Sequence, residues 1–426
     1  MRATSQFSFC ALCCLTMTDL VCAENWMRFR GPNGQGVSTE VNLPTTWSAD
    51  ENVVWKTIVP GKGWSSPIVF EEHVFLTTAT EDGVSCRVIC VNRRDGSIEW
   101  NTEVHRQKPG PKRRQNSYAT PTPVTDGRHI YAVFYDGTVV AVDFSGSWVW
   151  KNSEIKFFSL HGLGASPVLA HGQLIMPFDG SSRDETRVGW KVPWKNAVIL
   201  SLDAETGSVR WKGMRGESRV GHVTPIFVND GTQLVSAGGD RVQGFDPDTG
   251  KRTWSVYSQG EGVTPSPVVG AGLIFTSSGF EAPTVRAIRL GGKGDVTKTH
   301  IAWEKKKGVP ALASPLYVAP YLYTITRGNV LYCIEAQTGE ITWLKRLTGV
   351  HSASPVYADG RIYVLSEDGV TLVLRPGEKY DEITRNVIDE TCLASMAVSQ
   401  GRFYIRSAEH LYCIGDSSDK SGATAQ

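Results

Sequence analysis

Net charge is almost absent from this chain: 44 Lys and Arg offset 43 Asp and Glu over 426 residues, a formal +1. The balance gives no electrostatic basis for binding nucleic acid or an anionic membrane. Long apolar runs are missing too. The stretch from Phe7 to Ala23 is broken by Thr16, Thr18 and Asp19, and no other segment could cross a membrane. Familiar catalytic signatures are absent: there is no His-Glu-x-x-His, no Gly-x-Ser-x-Gly and no Cys-x-x-Cys-His. Gly244 to Lys251 looks like a phosphate loop but has five intervening residues, and Arg252 follows the Lys, so it reads as a turn. Cysteine is sparse, and four of nine (Cys10, Cys13, Cys14, Cys22) lie in the first 23 residues. Arg2, the apolar stretch and Val21-Cys22-Ala23 make residues 1–23 an export signal cut before Glu24. Leu20-Val21 lacks the small residue expected before a lipidated cysteine, so a periplasmic or secreted protein is expected.

What the chain has is a repeat. Leu202-Asp-Ala-Glu-Thr-Gly-Ser-Val-Arg-Trp211 joins an apolar strand to an Asp-led turn, a Gly suited to positive φ and a Trp on the returning strand. The pattern recurs from Asn92 to Trp100, Asp143 to Trp150, Asp246 to Trp254 and Glu335 to Trp343. A second marker counts the units: Ser66-Pro67, Thr122-Pro123, Ser166-Pro167, Thr224-Pro225, Ser266-Pro267, Ser314-Pro315, Ser354-Pro355 and a degenerate Ser395-Met396. Successive spacings of 56, 44, 58, 42, 48, 40 and 41 residues suit four short strands per unit. Cys90, Cys333 and Cys413 share one position just before the turn, which makes them small core residues; a Cys86–Cys90 disulfide along one strand is awkward.

The last unit lacks its Trp strand, whereas Asn52-Val-Val-Trp-Lys56 stands before the first marker. An N-terminal strand completing the last blade would close the ring and remove open edges. The expected fold is therefore all-β, an eight-bladed β-propeller over residues 52–415, with residues 24–51 on its surface and a disordered tail at 416–426. A monomer is expected. Inserts fall between Asp179 and Asn196 and between Arg289 and Trp303, and Arg106 to Arg114 forms a basic loop.

These residues resemble the pyrroloquinoline-quinone-type propeller repeat shared by quinoprotein alcohol dehydrogenases and BamB. The resemblance is nearest to exported repeat proteins common in planctomycetes. It is carried by Trp26-Met-Arg-Phe-Arg-Gly-Pro-Asn-Gly34, Asn116 to Pro123, His161 to Pro167, Ile199 to Trp211 and His351 to Pro355. In the quinoproteins it would imply a quinone (PQQ) in the central channel, Ca²⁺ beside it, a carboxylate base and a disulfide of adjacent cysteines. The only adjacent pair here, Cys13-Cys14, lies in the signal.

Candidate ligand-binding residues at the channel mouth are Trp64, Asn116, Tyr118, His161, His222 and His351, joined by Arg241, Arg327 and Arg406 at the turns between second and third strands. The three histidines stand six, three and four residues before their Pro markers. They could converge on a metal; the unequal offsets favour separate backbone bonding, and no metal site is assigned. The arginines could hold an anionic group, and inter-blade pairing or solvent exposure is favoured. Trp64, Trp190 and Trp194 are free of the docking role and could stack on carbohydrate. Three functions follow: a non-catalytic envelope scaffold binding a protein, polymer or small ligand, which is favoured; a PQQ-dependent oxidoreductase; and a BamB-like assembly factor.

Overall fold

A computed structural model describes residues 24–181, 183, 194–216, 218–257, 263–279 and 282–416. The expected signal, most of the first insert with Trp190, and the tail beyond 416 lie outside the described residues. Eight antiparallel blades of four strands form a ring. Blade 1 consists of Ile68–Phe70, His73–Thr80, Ser85–Asn92 and Ile98–Arg106. Blades 2 to 7 span 124–152, 168–214, 226–257, 268–305, 316–346 and 356–387. Blade 8 takes three strands from 397–414 and its outer strand, Val53–Ile58, from the other end of the chain, with Trp55 opposite Cys413. Closure is therefore non-covalent, and no blade is left incomplete.

The Trp and the Gly of the repeat are two halves of one joint. Each outer-strand indole reaches the turn of the following blade. Trp55 Nε1 donates to Arg93 O at 2.9 Å, Trp150 to Ala204 O at 2.8 Å and Trp303 to Ala336 O at 2.9 Å. The ring lies flat under the turn glycine: a Cβ at Gly207 would stand 2.4 Å from Trp150, and its φ is +70°. Glycine is required here by both close approach and conformation.

Blade 5 breaks the rule. Its insert replaces the compact turn, and Gly294–Asp295 instead pairs in parallel with Trp254 and Ser255, adding a fifth strand to blade 4. Trp254 is 1% exposed and its Nε1 finds no acceptor among the described residues. The core runs between blades as well as within them, and Cys86, Cys90, Cys333, Cys392 and Cys413 are free and buried in it. Among the described residues no helix is long and apolar enough to cross a membrane.

Candidate functional site

The Ser/Thr-Pro markers meet at the axis. The amide of each marker residue donates to the hydroxyl of the next: Ser66 N to Thr122 Oγ1 at 2.9 Å, Thr122 N to Ser166 Oγ at 3.0 Å, Ser166 N to Thr224 Oγ1 at 3.0 Å. The relay continues through Ser266, Ser314 and Ser354 to Ser395. The residue before each Pro is held extended, which aims its amide sideways at the neighbouring blade. The accepting hydroxyls keep their own O–H for another partner. All eight line a central cavity of ≈ 130 Å³, with Trp64, Gln115, Asn116, Thr120, His222, Thr264, Leu312, Ser352 and Leu393 above them.

Phe29 also lines that cavity. The segment carrying it lies across one end of the channel and bonds to residues of the inner strands around the ring. Trp26 pairs with Val69 in both directions at 2.9 Å, and Thr125 N donates to Met27 O at 3.1 Å. Val269 N donates to Gln35 Oε1 at 2.7 Å, Tyr357 N to Gly36 O at 2.8 Å and Ser399 Oγ to Glu24 O at 2.7 Å. Arg28 reaches Pro225 O at 3.3 Å and Arg30 reaches Pro315 O at 2.7 Å. Burial alone lowers these guanidinium pKa values to about 10 and about 9, so both stay charged at neutral pH. One end of the channel is thereby filled.

The other end is the mouth. The loop before blade 2 lies across its rim: Arg113 N donates to His161 O at 3.1 Å, Asn116 Nδ2 to the same oxygen at 2.8 Å, and Arg114 Nη2 to Glu367 Oε2 of blade 7 at 2.9 Å. Lys112, Arg113 and Arg114 are exposed. Beneath them His222 is 8% exposed, and neither ring nitrogen has a hydrogen-bond partner among the described residues. Its ring centroid is 5.9 Å from that of His161. Burial, and then the neighbouring His161, hold its pKa at about 3, so it is neutral.

The sequence model described as outer membrane protein assembly factor BamB matches residues 36–180, 192–297 and 294–378, more than half of the chain. The chain belongs to the BamB family. The BamB of Bordetella pertussis is 24% identical over 298 residues, 66% of this chain and 69% of that protein. The crystal structure of BamB from Moraxella catarrhalis has a TM-score of 0.60 at 14% identity, covering 84% of this chain and 96% of that one. Quinohemoprotein alcohol dehydrogenase ADHIIG from Pseudomonas putida HK5 has a TM-score of 0.66 at 11% identity, covering 94% and 81%. At these identities the structural likeness concerns the fold.

A quinone with Ca²⁺ makes specific demands on a channel. PQQ bears carboxylates that call for cations, and Ca²⁺ takes oxygen ligands dominated by carboxylates. The described lining of this BamB-family cavity holds hydroxyls, amides, His222 and apolar groups, with no Asp, Glu, Lys or Arg. These residues do not fit that pair.

Of the residues singled out in sequence, Trp64, Asn116 and His222 line the cavity. His161 stands beside it. Its pKa is lowered by burial and then by Arg113. His351 is 6% exposed and outside the lining, and among the described residues the three imidazoles form no ligand cluster. Tyr118 turns away, donating to Gly110 O at 2.9 Å and packing edge-on to Tyr135. Arg327 lines a second cavity of ≈ 140 Å³ with Thr264 and Pro310. Arg241 lies 3.6 Å from Asp240, outside both cavities. Arg406 is 2% exposed and donates to Ser65 Oγ at 2.6 Å and Thr77 O at 2.7 Å, joining blade 8 to blade 1. Sequence reasoning missed the hydroxyl ring, Phe29, Arg28 and Arg30. A hydroxyl recurring at the marker position of all eight units, before Pro in seven of them, was the available signal.

Proposed function

We propose that this chain is an exported, non-catalytic propeller of the cell envelope that engages a partner through the face around its open mouth. The observation that carries the reading is the asymmetry of the channel. One end is filled by a segment bonded around the ring, and the described lining above it is uncharged. Such a lining offers hydrogen bonds and the neutral imidazole of His222, but no carboxylate, ammonium or guanidinium. The rim adds exposed Lys112, Arg113 and Arg114 above the cavity.

Membership of the BamB family supports a protein partner over a small ligand. It also favours a more specific second reading, an assembly factor that docks on β-barrel assembly machinery. The test is a photo-crosslinker placed at Arg114 or Ser352 on the rim, and at Glu205 or Asp248 on the opposite face, in the cells that make the protein. Adducts from the rim positions are expected. Adducts arising only from the opposite face would overturn the proposal.

A further inference from the structure

We propose that His73, Cys90 and Glu99 form a site for one zinc-class divalent cation on the side of blade 1 that faces blade 2. The residues come from three successive strands. His73 Nε2 and Cys90 Sγ each lie 3.3 Å from Glu99 Oε2, and the three ligating atoms are all within 4.8 Å of one another. Ligands on a tetrahedral zinc, at ~2.0–2.3 Å from the metal, stand roughly 3.3–3.7 Å apart. Two of the three separations therefore already match a shared ion.

The backbone explains how the side chains meet. Cys90 pairs with Trp100 and Val91 with Ile98, so Glu99 is the extra residue of a β-bulge and turns to the same face. Asn92 Nδ2 donates to Glu99 Oε1 at 2.9 Å, which leaves Oε2 for the ion. The His73 ring is held by stacking on Phe75 at 5.8 Å and by the edge of Phe144 of blade 2 at 5.6 Å; its Nδ1 has no hydrogen-bond partner among the described residues. The Glu99 side chain is 30% exposed and the His73 side chain 27%, so the cluster opens to solvent.

The repeat supplies an internal control. Cys333 and Cys413 occupy the same strand position as Cys90. Where blade 1 has His73 and Glu99, blade 6 has Tyr321 and Thr342, and blade 8 has Arg402 and Val54. Only blade 1 combines nitrogen, sulfur and carboxylate donors, the set that suits zinc. Binding would replace the Cys90 S–H bond with a metal–sulfur bond and release that proton to solvent by way of Glu99.

The test uses the mature protein stripped with a chelator and titrated with Zn²⁺ by calorimetry, and with Co²⁺ by absorption. One equivalent should bind, and Co²⁺ should give a thiolate charge-transfer band. Cys90→Ser and His73→Ala should each weaken binding by ~100-fold or more, and Glu99→Gln by ~10-fold or more. Cys413→Ser should leave both signals intact. Where Cys90→Ser does not fold, Glu99→Gln, at a partly exposed position, carries the test. Failure of the parent protein to bind Zn²⁺ at ~100 µM, or binding unchanged in Glu99→Gln and Cys90→Ser, would overturn the proposal.

Discussion

The two ends of the channel use the same residue type in opposite ways. At the filled end, Arg28 and Arg30 are buried and donate to backbone carbonyls. At the mouth, Arg113 and Arg114 stand in solvent. Among the described residues, Nε of both inner arginines and Nη1 of Arg30 have no acceptor. An unmade bond from a buried donor costs about 1–3 kcal/mol, so the arginines alone cannot account for the plug. Trp26, 0% exposed and paired with Val69, supplies the large apolar burial. A buried cation here is a fixed structural part, whereas an exposed one is available to a partner.

The filled end depends most on Trp26. Trp26→Ala should destabilise by about 3–5 kcal/mol, read from denaturant midpoints. An effect below about 1 kcal/mol would mean that the plug is a loose surface segment.

The closing seam comes next. Burial pushes the Glu390 carboxyl up, but hydrogen bonds from Ser407, Tyr412, His410 and Lys56 outweigh it and hold the pKa at about 2. Lys56 belongs to the closing strand and lies 3.0 Å from Glu390. A carboxyl lowered on folding stabilises fully above its ordinary pKa and loses that contribution as pH falls through the folded value. Allowing for solvent screening, the contribution is about 1–2 kcal/mol. Acid denaturation should therefore steepen between roughly pH 4.5 and pH 2, and Glu390→Gln should flatten it.

His222 should respond in the other direction. Neither ring nitrogen has a hydrogen-bond partner among the described residues, so His222→Leu should be neutral or stabilise by up to about 1 kcal/mol. A loss above about 2 kcal/mol would show that the ring is structural. Smallest of all is Arg114→Ala, which should leave the melting temperature within ~1 °C while weakening rim crosslinks, because the pair with Glu367 is largely exposed on the Arg side.

The blades were legible because each depends on neighbours close in sequence. The Trp and turn Gly recur at fixed offsets, and closure showed in Asn52–Lys56 standing where the last unit lacks a strand. The site was less legible because its bonds are long-range. Arg28 and Pro225 are 197 residues apart, and Arg30 and Pro315 are 285 apart. Ser166 and Thr224 served in the sequence only to count units, whereas the ring puts each hydroxyl against the preceding blade's amide. Arg406 carried a charge that suggested an anion, yet its partners Ser65 and Thr77 lie at the far end of the chain.

The channel lining of this BamB-family propeller does not fit a quinone with Ca²⁺, which accords with the proposed binding face. A thermal-shift titration of the purified protein with pyrroloquinoline quinone, with and without Ca²⁺, tests this lining. A ligand that binds only the folded state must raise the melting temperature in a saturable way. No shift is predicted, because the described lining provides neither cations for the quinone carboxylates nor carboxylates for the ion. A saturable shift accompanied by bound-quinone absorbance would contradict the account.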